Sequence, residues 1–231
     1  MKQVLHLIPG TMCNEKLWDE LLPFLSCEFD FVFLDIPLDK NFDEIADHFK
    51  ALIGSDVINL VGFFLGGYVA TYFASKYPKS IAKLFVISNS PSCLPDNELQ
   101  QRRSILNYVA QYSYSGISRK KAAGLLDPTN QNDKFIDVIL EMESELGEDV
   151  FISQYKYTSD RIDLASKIST FEFPTYFFVS DDDPLVNTKW LSELINCNSN
   201  VEVIYTSGSG HMLPLEKPRE LTKSIAKMMH N

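Results

Sequence analysis

Short apolar segments rich in β-branched and aromatic residues alternate along this chain with longer segments of helical periodicity. The short segments predict buried strands, at Val4–Ile8, Phe29–Leu34, Val57–Val61, Leu84–Ile87, Phe173–Val179 and Val201–Tyr205. Apolar residues three and four positions apart predict helices, at Asp43–Ile53, Leu65–Tyr77, Thr188–Ile195 and Pro218–Met229. Strands that alternate with helices form βαβ units. The sequence therefore predicts an α/β fold, with a mostly parallel, doubly wound sheet of about six strands between two layers of helices.

One stretch, from about residue 95 to residue 168, breaks this alternation because its pattern predicts helices only. We call residues 95–168 the helical insert. We expect it to lie as a cap over one edge of the sheet, with residues 1–94 and 169–231 forming the core; the alternative is two or three ordinary crossover helices. We expect four of its aromatic side chains in the core of the insert, with the lining of an apolar acyl site as the alternative: Tyr108, Tyr112, Tyr114 and Phe135.

Composition and charge narrow the classes of partner. The chain has 231 residues, of which 45% are hydrophobic and 23% charged, and these values are typical of a globular domain rather than a disordered or fibrous one. A net charge of -10 without a long basic run disfavours nucleic acid, because phosphate backbones repel acidic surfaces. The apolar runs are shorter than a membrane span needs. A small-molecule substrate or ligand is therefore the expected partner, and the oligomeric state stays open.

The N-terminal residues indicate the cellular compartment, and the spacing of the cysteines and histidines indicates whether to expect a metal site. The first ten residues lack the apolar length and small-residue cleavage site of a signal peptide, so we expect a cytoplasmic protein with reduced thiols. The four cysteines show no CxxC spacing, and the four histidines form no HExxH pair. We therefore expect no metal site.

A glycine frame follows the third predicted strand and opens the next helix, in the order Gly62-Phe63-Phe64-Leu65-Gly66. A sharp strand-to-helix turn packs closely on its neighbours, so it needs residues without side chains on both sides of its apex. This frame is that of the nucleophile elbow, G-x-S-x-G, and it places Phe64 at the apex.

Two later segments place an acid and a histidine after strands. The first is Asp181-Asp182-Asp183-Pro184, and the second is a glycine-rich loop that contains His211. Asp183 is the preferred acid because Pro184 follows it at the strand edge, and Asp182 is its main rival. The order of apex, acid and histidine is that of an acyl-transfer triad.

With these motifs the chain resembles the α/β-hydrolase fold superfamily, as a small capped esterase or lactonase-like member, over nearly its whole length outside the helical insert. Leu7–Asn14 is similar to the oxyanion loop of that family. The resemblance implies that Asp183 is the triad acid and His211 the base. It also implies that the backbone N–H groups of Thr11 and Leu65 form the oxyanion hole, and that no cofactor is needed.

The sequence departs from the family at the nucleophile. Residue 64 is phenylalanine, and between Val57 and Ala74 there is no Ser, Cys or Asp. Phenylalanine has no nucleophilic atom, so an acyl-enzyme cannot form at this position. Its ring is expected to project into the pocket and cover His211, from a strained backbone conformation.

Three interpretations of Phe64 remain open. The chain is a hydrolase of a small carboxylic ester, thioester or lactone whose serine has been replaced, which leaves this form inactive or strongly impaired. Alternatively, it is a pseudohydrolase that binds a ligand or partner in the pocket. In the third, the pair of His211 and Asp183 acts as a general base without a serine nucleophile.

Overall fold

Six parallel strands form one sheet in the computed structural model, which describes residues 2–230. The strand order across the sheet is β2-β1-β3-β4-β5-β6, and each neighbouring pair is parallel. The strands are β1 Gln3–Ile8, β2 Phe29–Phe33, β3 Ile58–Phe63, β4 Ile81–Ile87, β5 Thr175–Ser180 and β6 Val201–Thr206. The predicted fold class is confirmed: a parallel sheet of six strands flanked by helices.

Ten α-helices and three short 3₁₀ helices connect the strands within the described range. The α-helices are α1 Leu22–Leu25, α2 Phe42–Ile53, α3 Leu65–Lys76, α4 Asp96–Tyr112, α5 Arg119–Ala123, α6 Asp133–Tyr157, α7 Ala165–Ile168, α8 Thr188–Leu194, α9 Leu213–Glu216 and α10 Pro218–His230. The 3₁₀ helices are Glu15–Trp18, Pro78–Ser80 and Ile195–Cys197. Helix α6 is kinked at Gly147, where φ is 70°. None of the described helices has the length and apolar character to cross a membrane.

Both faces of the sheet are buried, which explains why its strands read as nearly continuous apolar runs. In β3, Leu60 packs into the core on the side of α2 and α3, whereas its neighbour Val61 packs into the core on the side of α10. This alternation follows the two-residue period of a strand. Helix α2 is amphipathic and begins with a capping box between Asn41 and Glu44, which satisfies the first free amides of the helix.

Strand β5 starts later than the sequence predicts. The expected strand began at Phe173, but β5 begins at Thr175. Pro174 has no N–H to give to a ladder, so the strand forms only after it. The carbonyl of Pro174 still accepts a hydrogen bond from the N–H of Leu84 at 3.0 Å.

All the regular elements among the described residues of the helical insert are helices, from α4 to α7. The prediction that its aromatic residues form its own core is wrong for two of them. Tyr108 is 59% exposed and Tyr112 is 67% exposed, on the outer side of α4. Tyr114 instead stacks on Phe151, with ring centroids 4.1 Å apart. The division into a core and a cap stays a prediction.

The turn between β3 and α3 depends on two glycines. A Cβ on Gly66 would lie 2.7 Å from the carbonyl carbon of Ile8, and a Cβ on Gly62 would lie 2.6 Å from the carbonyl carbon of Gly66. Both contacts are with backbone atoms, which cannot move aside as a flexible side chain can. The start of α3 therefore packs directly against the end of β1.

We predict that Gly66→Ala destabilises the protein by about 3 kcal/mol, because the added methyl group forces two backbone segments apart. Gly124→Ala is the matched control. Gly124 is exposed at the end of α5, has φ of -68°, and would place its Cβ no closer than 3.4 Å to any neighbour. That change should be neutral or stabilise by about 0.5 kcal/mol. Urea unfolding of the two variants checks this, and equal midpoints would contradict it.

Candidate active site

Phe64 lies at the tip of the turn, between the last residue of β3 and the first residue of α3. Its backbone has φ of 48° and ψ of -111°, a conformation that a residue with a bulky side chain rarely adopts. Two hydrogen bonds hold it there. The Phe64 N–H donates to the carbonyl of Ile87 at 2.9 Å, and the Phe64 carbonyl accepts from the N–H of Tyr68 at 3.1 Å.

His211 lies in the loop after β6 and contacts Asp183, which follows β5. The distance from His211 Nδ1 to Asp183 Oδ2 is 2.8 Å, and both residues are 3% exposed. The second carboxylate oxygen of Asp183 accepts from the N–H of Leu185 at 2.9 Å. The backbone of His211 is also fixed, because its N–H donates to Leu125 and its carbonyl accepts from the hydroxyl of Ser88.

The structure distinguishes the two candidate acids. Asp182 is exposed, whereas Asp183 is buried against the imidazole of His211. Asp181 has a structural contact of its own, since its carboxylate accepts from the N–H of Gly208 at 2.8 Å. Of the three consecutive acids, Asp183 is therefore the one placed to orient His211.

The other nitrogen of His211, Nε2, is buried and has no hydrogen-bond partner among the described residues. With the Nδ1–H donated to Asp183, Nε2 carries a lone pair that faces no donor. The ring of Phe64 packs next to it in an edge arrangement, with ring centroids 4.6 Å apart and planes at 89°. The expected covering of His211 by the Phe64 ring is therefore observed.

A cavity of about 70 Å³ brings the predicted residues together. Thr11, Phe64 and His211 all line it, together with Glu143 of the helical insert. Leu65 contributes differently. Its side chain is fully buried in the core, and its amide is the first of α3, where an N–H has no partner within the helix.

Sequence reasoning missed the carboxylates that hold the His211 loop. Glu216 accepts hydrogen bonds from the N–H groups of Met212 at 3.1 Å and Asp127 at 2.8 Å. Burial raises the pKa of Glu216. Hydrogen bonds from Thr129 and from the N–H of Ser209 lower the pKa of Asp127 to about 2. Glu216 is close to His211 in the sequence, and that proximity was the available signal that Glu216 holds the His211 loop.

Glu143 was also missed. It lies on α6, is 6% exposed and borders the cavity that contains His211. Burial raises its pKa to about 7. Cys13, on the same cavity, has a pKa raised to about 12, mainly by burial and secondly by the charge of Glu143. Nothing in the local sequence around Glu143 marks it as a cavity residue.

Metal ligands do not cluster in the described part of the chain. Between residues 2 and 230, no three His, Cys, Asp or Glu side chains come together as a metal would require. All four cysteines are free thiols, and only Cys13 is buried.

Comparison with known proteins identifies the family. The family model described as alpha/beta hydrolase fold matches residues 7–125, which is about half of the chain. The chain belongs to the α/β-hydrolase fold family. The matched residues include the end of β1, the turn at Phe64 and the first part of the helical insert.

Individual relatives of this α/β-hydrolase are distant. The serine hydrolase-like protein of Mus musculus is 22% identical over 157 residues, which are 60% of this chain and 50% of that protein. The chain thus spans about half the length of that curated relative.

Solved structures with low sequence identity to this chain share its fold. A thermophilic esterase from Thermogutta terrifontis has a TM-score of 0.87 at 20% identity, covering 100% of this chain and 90% of that one. A hydrolase from Pseudomonas aeruginosa PA01 has a TM-score of 0.85 at 16% identity, covering 100% and 91% of the two chains. At these identities the likeness establishes the α/β-hydrolase fold alone.

We predict that Glu143→Gln changes how stability depends on pH. Because the pKa of Glu143 is about 7 in the folded protein and lower when unfolded, the folded state holds the proton more tightly. Stability therefore falls as pH rises from about 4.5 to 7, and the full penalty persists above that window. The variant should be more stable than the unaltered chain by about 2–3 kcal/mol at pH 8, and nearly equal to it at pH 4.

Denaturant unfolding between pH 4 and pH 8 measures this effect. Asp149→Asn, at an exposed position on the same helix, is the control and should follow the unaltered chain. Parallel stability curves for Glu143→Gln and the unaltered chain would contradict the prediction.

Proposed function

We propose that this chain derives from a hydrolase of small carboxylic esters, thioesters or lactones, and that Phe64 stands at the position of its nucleophile. The form with Phe64 is then inactive or strongly impaired. One observation carries the proposal: the buried pair of His211 and Asp183 leaves His211 Nε2 without a partner, beside the apex of the turn at Phe64.

The roles follow from the chemistry of acyl transfer. A hydroxyl at residue 64 would donate to Nε2, and His211 would accept its proton during attack on a carbonyl carbon. Asp183 would hold the imidazole in the required tautomer and stabilise the imidazolium. Phe64 offers neither a nucleophile nor a proton, so His211 has nothing to activate.

The proposed oxyanion hole consists of the amides of Thr11 and Leu65. Gly66 allows the start of α3 to pack against the backbone of Ile8, which brings the loop after β1 close to the first amide of the helix. Each such donor contributes on the order of 3 kcal/mol at the transition state. The helix N-terminus adds a favourable potential for negative charge.

We further propose that the helical insert acts as the cap. A cavity of about 490 Å³ is lined from the insert by Arg102, Glu143 and Tyr155 and from the core by Thr11 and Phe64. This arrangement supports substrate binding between insert and core. The names of the Thermogutta esterase and the Pseudomonas hydrolase favour hydrolysis as the reaction class.

We predict that Phe64→Ser hydrolyses p-nitrophenyl acetate with a kcat/KM at least about 1000-fold above that of the unaltered chain, because a triad then forms with His211. Phe64→Ala is the matched control: it removes the same ring but supplies no nucleophile. It should stay close to the unaltered chain.

The outcomes separate the three interpretations. Equal gains in Phe64→Ser and Phe64→Ala would favour water activation by the pair of His211 and Asp183, since removal of the ring alone would then suffice. Two folded variants that both remain inactive would contradict the proposal and favour a pseudohydrolase that binds a ligand.

We predict that adding His211→Ala to the Phe64→Ser chain lowers kcat by a factor of about 1000 or more, because the serine loses its base. His48→Ala in the same background is the control, since His48 lies on α2 away from the cavity. Unchanged kcat after His211→Ala would show that the hydrolysis does not use the proposed triad.

A further inference from the structure

A third cavity is also lined by Phe64. It has a volume of about 250 Å³, and we call it the Arg161 cavity. Its polar lining comes from Asn89, Ser90, Ser92, Glu98, Arg161 and Asn187. Phe64 borders both this cavity and the smaller cavity at His211.

Arg161 is a buried cation that forms no salt bridge with any described residue. It is 8% exposed, and its Nη2 has no hydrogen-bond partner among the described residues. Its Nε donates to the carbonyl of Thr158 at 3.0 Å, and its guanidinium lies over the ring of Tyr68, 5.1 Å from the centroid. Burial lowers its pKa to about 9, so the group remains charged at neutral pH.

The nearest charged groups do not neutralise Arg161. Arg102 carries the same sign and lowers the pKa of Arg161 further. Glu98 is the nearby carboxylate, but it already binds Arg102, with distances of 3.1 Å to Nε and 3.0 Å to Nη2. An uncompensated buried charge is costly, and a bound ion of opposite sign would offset that cost.

A second residue of the cavity lining has an unpartnered polar atom. Asn89 is 4% exposed, and its side-chain oxygen has no hydrogen-bond partner in the described part of the chain. Arg161 and Asn89 thus line one space, and each has a buried polar atom without a partner. A ligand that satisfies both must offer an anionic acceptor and, next to it, a donor.

We propose that the Arg161 cavity binds the carboxylate of a small molecule that carries a hydroxyl or amine donor beside that carboxylate. The carboxylate accepts from Arg161 Nη2, and the donor bonds to Asn89. A carboxylate fits better than a phosphate, because one guanidinium supplies a single positive charge and its planar fork matches two carboxylate oxygens. The site needs no nucleophile, so it goes beyond the proposed hydrolysis.

The test is an NMR titration of the ¹⁵N-labelled chain with four probes: lactate, propionate, propionamide and inorganic phosphate. We expect lactate to bind most tightly, propionate more weakly for lack of the hydroxyl, and propionamide not at all. Arg161→Gln should weaken lactate binding about tenfold or more. Arg103→Gln, at an exposed position on α4, is the matched control and should leave it unchanged.

Two further variants keep the test decisive if Arg161→Gln does not fold. Arg161→Lys retains the charge without the planar fork and should bind lactate more weakly. Asn89→Ala should remove the preference for lactate over propionate. Equal binding of propionate and propionamide, lactate binding that survives every change at Arg161, or phosphate binding without propionate binding would each overturn the proposal. Because the Phe64 chain itself is titrated, a failed hydrolysis test leaves this result unaffected.

Discussion

The close approach of α3 to β1 is the constraint on which the candidate site depends. Gly62 and Gly66 leave no space for a Cβ on either side of residue 64, so the chain must turn within a single residue. That turn gives Phe64 a φ of 48° and directs its side chain toward His211. The same approach sets the loop after β1 beside the first amide of α3. The positions of β1, α3 and the site residues therefore all depend on this one backbone contact.

The phenylalanine side chain at residue 64 offsets little of the cost of this backbone conformation. A backbone held in such a region costs about 1–3 kcal/mol. The edge contact between the rings of Phe64 and His211 returns about 0.5–1.5 kcal/mol beyond its buried area. No hydrogen bond to the side chain adds to that, because a phenyl ring has neither donor nor acceptor. The surrounding packing, rather than the phenylalanine, imposes the turn.

The sequence predicts the sheet well, because strands buried on both faces leave long apolar runs. It also predicts the pairing of His211 with an acid after β5, since parallel strands end at one edge of the sheet. It prefers Asp183 to Asp182 because Pro184 follows Asp183, but it keeps Asp182 as a rival, since only the backbone after Ser180 decides which one turns inward. The roles of Glu143 and Arg161 were missed for a different reason. Helical periodicity in the insert does not reveal which part of the sheet its helices cover, and for that reason Tyr108 and Tyr112 were also misplaced.

Two buried polar groups of opposite character belong to residues that line the cavities bordered by Phe64. His211 Nε2 has an unpartnered lone pair and lies in a residue of one lining, and Arg161 Nη2 is an unpartnered donor in a residue of the other. Phe64 lines both spaces, as does Leu185. A serine at residue 64 would remove the phenyl ring from both linings. A carboxylate held by Arg161 would then fix one end of a ligand, and a carbonyl farther along the ligand would face the serine and His211. Under the two proposals, orientation of this kind would favour hydrolysis of esters or lactones whose acyl or alcohol part is itself acidic.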